Sequence, residues 1–292
     1  MILVTGATGL VGSALLGRLT AAGMPVRCLV RESRRLGSNR VRVQIALGEL
    51  GDPRVFRNAV RGVHTVVHLA ASIRDQPQGS IEELNALATW RLVRAAEEAG
   101  VERLIFFSAL GASACGPSRF MRAKALAEQA MLESALDYQI VAPSLVYAPG
   151  DPWLTLLGRL SLLPAMPIAG RGEAAFQPIW AEDVADCVAA LLDRSPAGER
   201  RYELAGPETL THQAIVRIVL RSLGRRRRLL HVPLPLVRRG LRAMEAIAGT
   251  AAFATWDEAE LLELPMTSPL GTADAERLGV QPRPMRAVLG GG

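Results

Sequence analysis

The chain has 292 residues, 49% of them hydrophobic and 21% charged, so it holds one large or two modest domains and is too apolar for intrinsic disorder. Cys28, Cys115 and Cys187 are odd in number and far apart, which argues against a disulfide framework, and the four histidines share no metal-ligand spacing with them, so no metal site is expected. The net charge of +6 comes from 33 arginines and one lysine, Lys124, against 28 carboxylates; it suits an anionic ligand or surface, while 4% aromatics without a stacking motif argue against nucleic acid.

Met1 runs through three apolar residues into a glycine loop, leaving no room for a cleavable leader, and no run reaches about 18 uncharged apolar residues. A cytoplasmic location is expected. In chain order the pattern predicts strand 2–4, helix 10–22, strands 26–30 and 41–45, helix 55–60, strand 63–69, helix 81–99, strand 104–108, helix 119–134 and strand 138–142. Such alternation predicts an α/β fold, a doubly wound parallel sheet of Rossmann type. The pattern breaks at Pro143 and at the turn around Pro149, Gly150 and Pro152. The expected division is a sheet domain over 1–150, with a later contribution from about 177–194, and a smaller C-terminal lobe over 151–292 with helices near 181–193, 212–223 and 234–248.

Between the first strand and the first helix stands Thr5-Gly6-Ala7-Thr8-Gly9-Leu10-Val11-Gly12. In this strand-to-helix setting Gly6 permits a tight turn, Gly9 lets the backbone approach a pyrophosphate, and Gly12 packs helix on strand, with Thr5, Thr8, Leu10 and Val11 in the same cradle. The loop therefore points to a dinucleotide. Arg31, at the tip of the second strand, favours the 2′-phosphate of NADP(H), whereas Glu32 beside it keeps NAD(H) open through the ribose hydroxyl. His68 ends a strand beside the expected cofactor cleft, where a structural role outweighs an acid/base one.

These residues, with His68-Leu69-Ala70-Ala71, Asn85, the segment 143–150, Gln177 to Ala185 and Leu204-Ala205-Gly206-Pro207-Glu208, resemble the atypical and extended short-chain dehydrogenase/reductase superfamily over nearly the whole chain. Phe107 to Ala112 and Leu278 to Pro282 look most like the branch holding the nucleotide-binding accessory subunit of respiratory complex I. That resemblance implies bound NADP(H), a small C-terminal lobe and, in some members, no turnover. It implies further cofactor-binding residues: Glu49 and Leu50 after the third strand, Leu69, Ala70 and Ala71 after the fourth, Ser108 at the fifth, and Pro143 and Ser144 after the sixth. It also implies a catalytic set of asparagine, serine, tyrosine and lysine. Asn85 and Lys124 match it, Lys124 also serving the cofactor, but Phe120 stands where tyrosine is expected and Ala109 and Leu110 follow Ser108.

A phenylalanine cannot protonate a carbonyl oxygen, so Tyr147, Ser113, Ser144 or Lys124 itself are the candidate replacements. The sole lysine at the motif position argues that a compact ammonium is required there. Further on, Arg225 to Arg228 and a helix carrying Val237, Leu241, Met244 and Ile247 on one face, with Arg238, Arg239 and Arg242 off it, form a basic amphipathic segment over 225–248. It either packs on the lobe or contacts an anionic membrane or membrane complex on the cytoplasmic face. Two function classes follow: an NADP(H)-dependent oxidoreductase on a small or lipid-like molecule lacking the usual tyrosine acid, and a silent dinucleotide-binding structural, assembly or redox-sensing partner of a membrane complex.

Overall fold

The computed structural model describes residues 1–194, 200–249 and 252–290. β1 (Ile2–Thr5) is buried along its whole length, as a strand covered on both faces must be, and leads through the glycine loop into α1 (Leu10–Ala21). β2 (Val26–Val30), a 3-10 segment over Ser33–Val41 that is broken at Gly37 (φ 57°), and β3 (Gln44–Leu47) follow. Val41 thus closes the 3-10 segment instead of opening the strand expected at 41–45. β3 is the largely exposed edge of the sheet, so no alternation of buried and exposed side chains marks its limits.

α2 (Pro53–Ala59) begins on Asp52, whose carboxylate accepts from the Arg54 backbone N–H at 2.9 Å. β4 (Thr65–His68) precedes a helix that carries a π turn over Glu83–Leu87 before α3 (Ala88–Glu98), where sequence predicts one regular helix over 81–99. Asn85 lies in the wide turn, its Nδ2 donating to the Ile81 carbonyl at 2.7 Å. β5 (Arg103–Phe107), α4 (Arg119–Leu132) and β6 (Asp137–Pro143) continue the alternation. β7 (Val146–Tyr147), α5 (Pro152–Leu160), β8 (Ala165–Ala169), β9 (Ala175–Phe176) and β10 (Ile179–Trp180) begin a lobe, and α6 (Ala181–Asp193) and β11 (Arg201–Leu204) return to the sheet. β12 (Leu210–Thr211), α7 (His212–Ser222), β13 (Arg228–Val232), α8 (Leu234–Ala248), α9 (Trp256–Leu261), α10 (Ala273–Arg277) and α11 (Met285–Gly290) follow.

Seven parallel strands form one sheet in the order β3-β2-β1-β4-β5-β6-β11. The fold is Rossmann-like, and the order reverses between β1 and β4, which opens a crevice beyond the carboxyl ends of those strands. α1 and α6 pack together on one face, stitched by Arg18 to Glu182 at 2.7 Å and to Asp186 at 2.5 Å; α2, α3 and α4 cover the other. A third core, with Phe120, Met121, Tyr147, Phe176 and Ile215, joins the sheet to the lobe. Among the described residues no helix is long and apolar enough to cross a membrane.

Candidate functional site

The carboxyl ends of β1 to β4 enclose a cleft of about 330 Å³. Gly6 turns the chain out of β1 at φ 70°, and a Cβ there would stand 2.6 Å from the Ala70 nitrogen; at Gly12 it would stand 2.1 Å from the Gly6 carbonyl oxygen. Only glycine allows loop, helix and the chain after β4 to approach so closely. Gly9, the N-cap of α1, lines the cleft and brings no capping side chain, so the positive end of the helix abuts it.

Arg31 and Arg35 line the β2 side of the cleft. Glu32 is absent from that lining, and its carboxylate takes Arg34 Nε at 2.6 Å. A backbone cradle, an uncapped helix end and two guanidinium groups fit a dinucleotide: they would hold its phosphates, and the bound nicotinamide would supply hydride chemistry. Gln78 Oε1, a buried acceptor without a partner in the same wall, leaves one more polar contact for a ligand.

Of the residues expected to bind the cofactor, Gly6, Thr8, Gly9, Arg31, Glu49, Leu50, Leu69, Ala70 and Ala71 line this cleft. The other expected cofactor residues stand behind it. Thr5 is fully buried; Leu10, Val11 and Gly12 form the first turn of α1, with Val11 in the core. Ser108 Oγ donates to the Glu128 carboxylate, which also takes Arg201 at 2.7 Å. The Pro143 carbonyl accepts from Leu110 N at 2.9 Å, and Ser144 Oγ donates to the Met266 carbonyl at 2.6 Å. Sequence reasoning missed Arg35, in the 3-10 segment after β2, and Ser72, Gln76 and Gln78, in the loop after β4, where no periodic pattern marks a side chain's direction.

The candidate catalytic residues are held inside the protein. Lys124 is buried, its Nζ donates to the Phe107 carbonyl at 2.6 Å, and it lies 4.9 Å and 5.6 Å from the centres of the Phe106 and Phe120 rings. Burial pushes its ammonium down to about 7, against the pull of Glu128. Asn85 spends its amide on Ser72 and Ile81. Tyr147 is wholly buried with an unpartnered hydroxyl, and burial, with the charges of Asp183 and Glu208, raises its pKa, so it is a poor proton donor. His68 is fully buried, and desolvation, helped by Lys124, lowers it to about 3.

The family of NAD(P)H-binding proteins matches residues 6–195. The chain belongs to that family. Within the atypical short-chain dehydrogenase/reductase superfamily it is 30% identical over 251 residues to NADH dehydrogenase (ubiquinone) 1 alpha subcomplex subunit 9, mitochondrial, of Arabidopsis thaliana, a match covering 80% of this chain and 61% of that relative's length. It is likewise 30% identical over 226 residues to a (4-alkanoyl-5-oxo-2,5-dihydrofuran-3-yl)methyl phosphate reductase of Streptomyces griseus, covering 77% and 74% of the two chains. A nucleoside-diphosphate-sugar epimerase from Staphylococcus aureus shares the fold, with a TM-score of 0.76 at 21% identity over 99% of both chains.

Proposed function

We propose that this chain is an NADP(H)-dependent reductase of small or lipid-like molecules whose acceptor takes hydride without a proton from a tyrosine. The observation that carries the reading is the charge of the cleft: Arg31 and Arg35 face it and outnumber the lining carboxylate Glu49, while Glu32 is bound to Arg34, so a 2′-phosphate meets two cations and a ribose 2′-hydroxyl finds no carboxylate at the tip of β2. Phe120 sets the acceptor class. With no phenol at the reacting carbon, the suitable acceptors are those that spread the incoming charge themselves, such as quinones and conjugated enones. The reductase of Streptomyces griseus is named for such a ring, an unsaturated oxo-dihydrofuran bearing an acyl group. The test is NADPH oxidation against a panel of quinones, enones and simple ketones. Turnover confined to the conjugated acceptors is expected; stoichiometric retention of NADPH with none of them reduced favours the silent reading.

That second reading, a dinucleotide-binding partner of a membrane or membrane complex, is supported by α8. The segment 225–248 carries seven arginines against one carboxylate, Glu245, a net of +6 that equals the net charge of the whole chain. α8 has no fully buried residue. Val237, Leu241 and Met244 are half-covered beside α9, while Leu236 and Ile247, on an adjoining stripe, are 56% and 88% exposed. An apolar stripe edged by Arg239 and Arg242 matches the chemistry of an anionic bilayer surface.

A further inference from the structure

The wall of the cleft after β4, residues 69–72, is clamped at both ends by one closed set of hydrogen bonds. At one end the Ala70 N–H donates to Thr5 Oγ1 at 3.3 Å. At the other, Asn85 Oδ1 accepts from Ser72 N at 3.1 Å and Asn85 Nδ2 donates to the Ser72 carbonyl at 2.7 Å. His68 joins the two ends: its Nδ1 lies 2.6 Å from Thr5 Oγ1, and its Nε2 lies 3.1 Å from Thr89 Oγ1. Thr89 in turn donates to the Asn85 carbonyl at 2.6 Å.

The protons in this circuit have one arrangement. Thr89 has a single hydroxyl hydrogen and gives it to the Asn85 carbonyl, so His68 Nε2 must be the donor to Thr89. The neutral ring then accepts at Nδ1, and Thr5 donates to it while receiving the Ala70 N–H. Thr5, His68, Thr89 and Asn85 are all buried, so water does not compete for these groups. Neither His68 nor Thr89 lines the cleft. What they hold does, and the strap is in backbone contact with the glycine turn, because a Cβ on Gly6 would meet Ala70 N at 2.6 Å and Leu69 C at 2.8 Å. A shift of the strap by a few tenths of an ångström therefore changes the width available to a dinucleotide.

We infer that His68 and Thr89 are positioning residues for the dinucleotide, acting through the strap 69–72 that they hold against the glycine loop. The inference rests on the cleft being the NAD(P)H site. Thr89→Val keeps the volume and removes both bonds, whereas Thr89→Ser keeps the hydroxyl. Titration of the full chain with NADPH, with amide hydrogen exchange at residues 69–72 measured without nucleotide, is the experiment. About tenfold weaker binding and about tenfold faster exchange in Thr89→Val are expected, with both restored in Thr89→Ser. Binding within twofold of the wild type and unchanged exchange, even with a lowered melting temperature, would overturn the inference. If Thr89→Val does not fold, the nitrogen shifts of His68 in the wild type decide: a neutral Nε2–H ring from pH 5 to 8 supports the circuit, and the other tautomer or a titration in that range overturns it. Failure of the cleft assignment shows differently, as a wild type that does not bind NADPH while strap exchange still responds to Thr89→Val.

Discussion

Phe120 and Lys124 stand one turn apart on α4, and the ammonium of Lys124 lies 5.6 Å from the centre of the Phe120 ring. The pair keeps the spacing of the superfamily's tyrosine and lysine but lacks the phenol, and the ammonium is engaged by the Phe107 carbonyl. Phe120→Tyr is expected to raise reduction of simple ketones about 10²-fold, the usual scale for a positioned general acid. It also places a hydroxyl in a core site, at a cost of about 1 to 3 kcal/mol if unpaired. Initial rates on a ketone panel check it; a folded but unimproved variant shows that the commitment of Ser108 to Glu128 also blocks the chemistry.

Lys124 gives stability a pH dependence of definite sign. Its ammonium titrates near 7 in the folded protein against an ordinary 10.5, so between those values the unfolded chain holds a proton that the folded chain lacks. Stability from this group therefore rises with pH from 7 towards 10.5, by up to about 1.4 kcal/mol per pH unit. Chemical denaturation of the wild type and of Lys124→Met between pH 7 and 10 measures it. The wild type should gain on the variant as pH rises; a constant difference contradicts a depressed Lys124.

The strands of the central sheet are legible where both faces are buried, since β1, β4 and β5 are built around the apolar runs 2–4, 66–67 and 104–107. The exposed edge strand β3 gave no such signal and was misplaced by two to three residues. The glycine loop was legible for a different reason: the approach of Ala70 to Gly6 and of Gly6 to Gly12 leaves no room for a Cβ, so composition and geometry are tied. The direction of a side chain is tied to nothing local. Ser108, Lys124 and Asn85 sit at motif positions, yet their partners Glu128, the Phe107 carbonyl and Ser72 come from tertiary packing. Arg35 reaches the cleft from a 3-10 segment that lies between the strands expected at 26–30 and 41–45, where the sequence predicts no element.

The exposed stripe on α8 predicts binding to anionic vesicles that weakens with salt. At about 1 kcal/mol per cation near a charged surface, Arg239→Gln with Arg242→Gln should lower the vesicle partition coefficient about thirtyfold. Co-sedimentation with phosphatidylserine-containing vesicles at low and high salt checks this; no binding at low salt removes the bilayer as the partner of α8.

The central claim is that the cleft beyond β1 to β4 holds NADP(H) through Arg31 and Arg35. Fluorescence titration of the wild type, Arg31→Ala and Arg35→Ala with NADPH and NADH tests it directly. Each guanidinium should contribute about 1.5 to 3 kcal/mol as a charged hydrogen bond to the 2′-phosphate, so each variant should bind NADPH about 10- to 100-fold more weakly and NADH nearly unchanged. Equal wild-type affinities for the two nucleotides, or equal losses of both in the variants, would contradict the account.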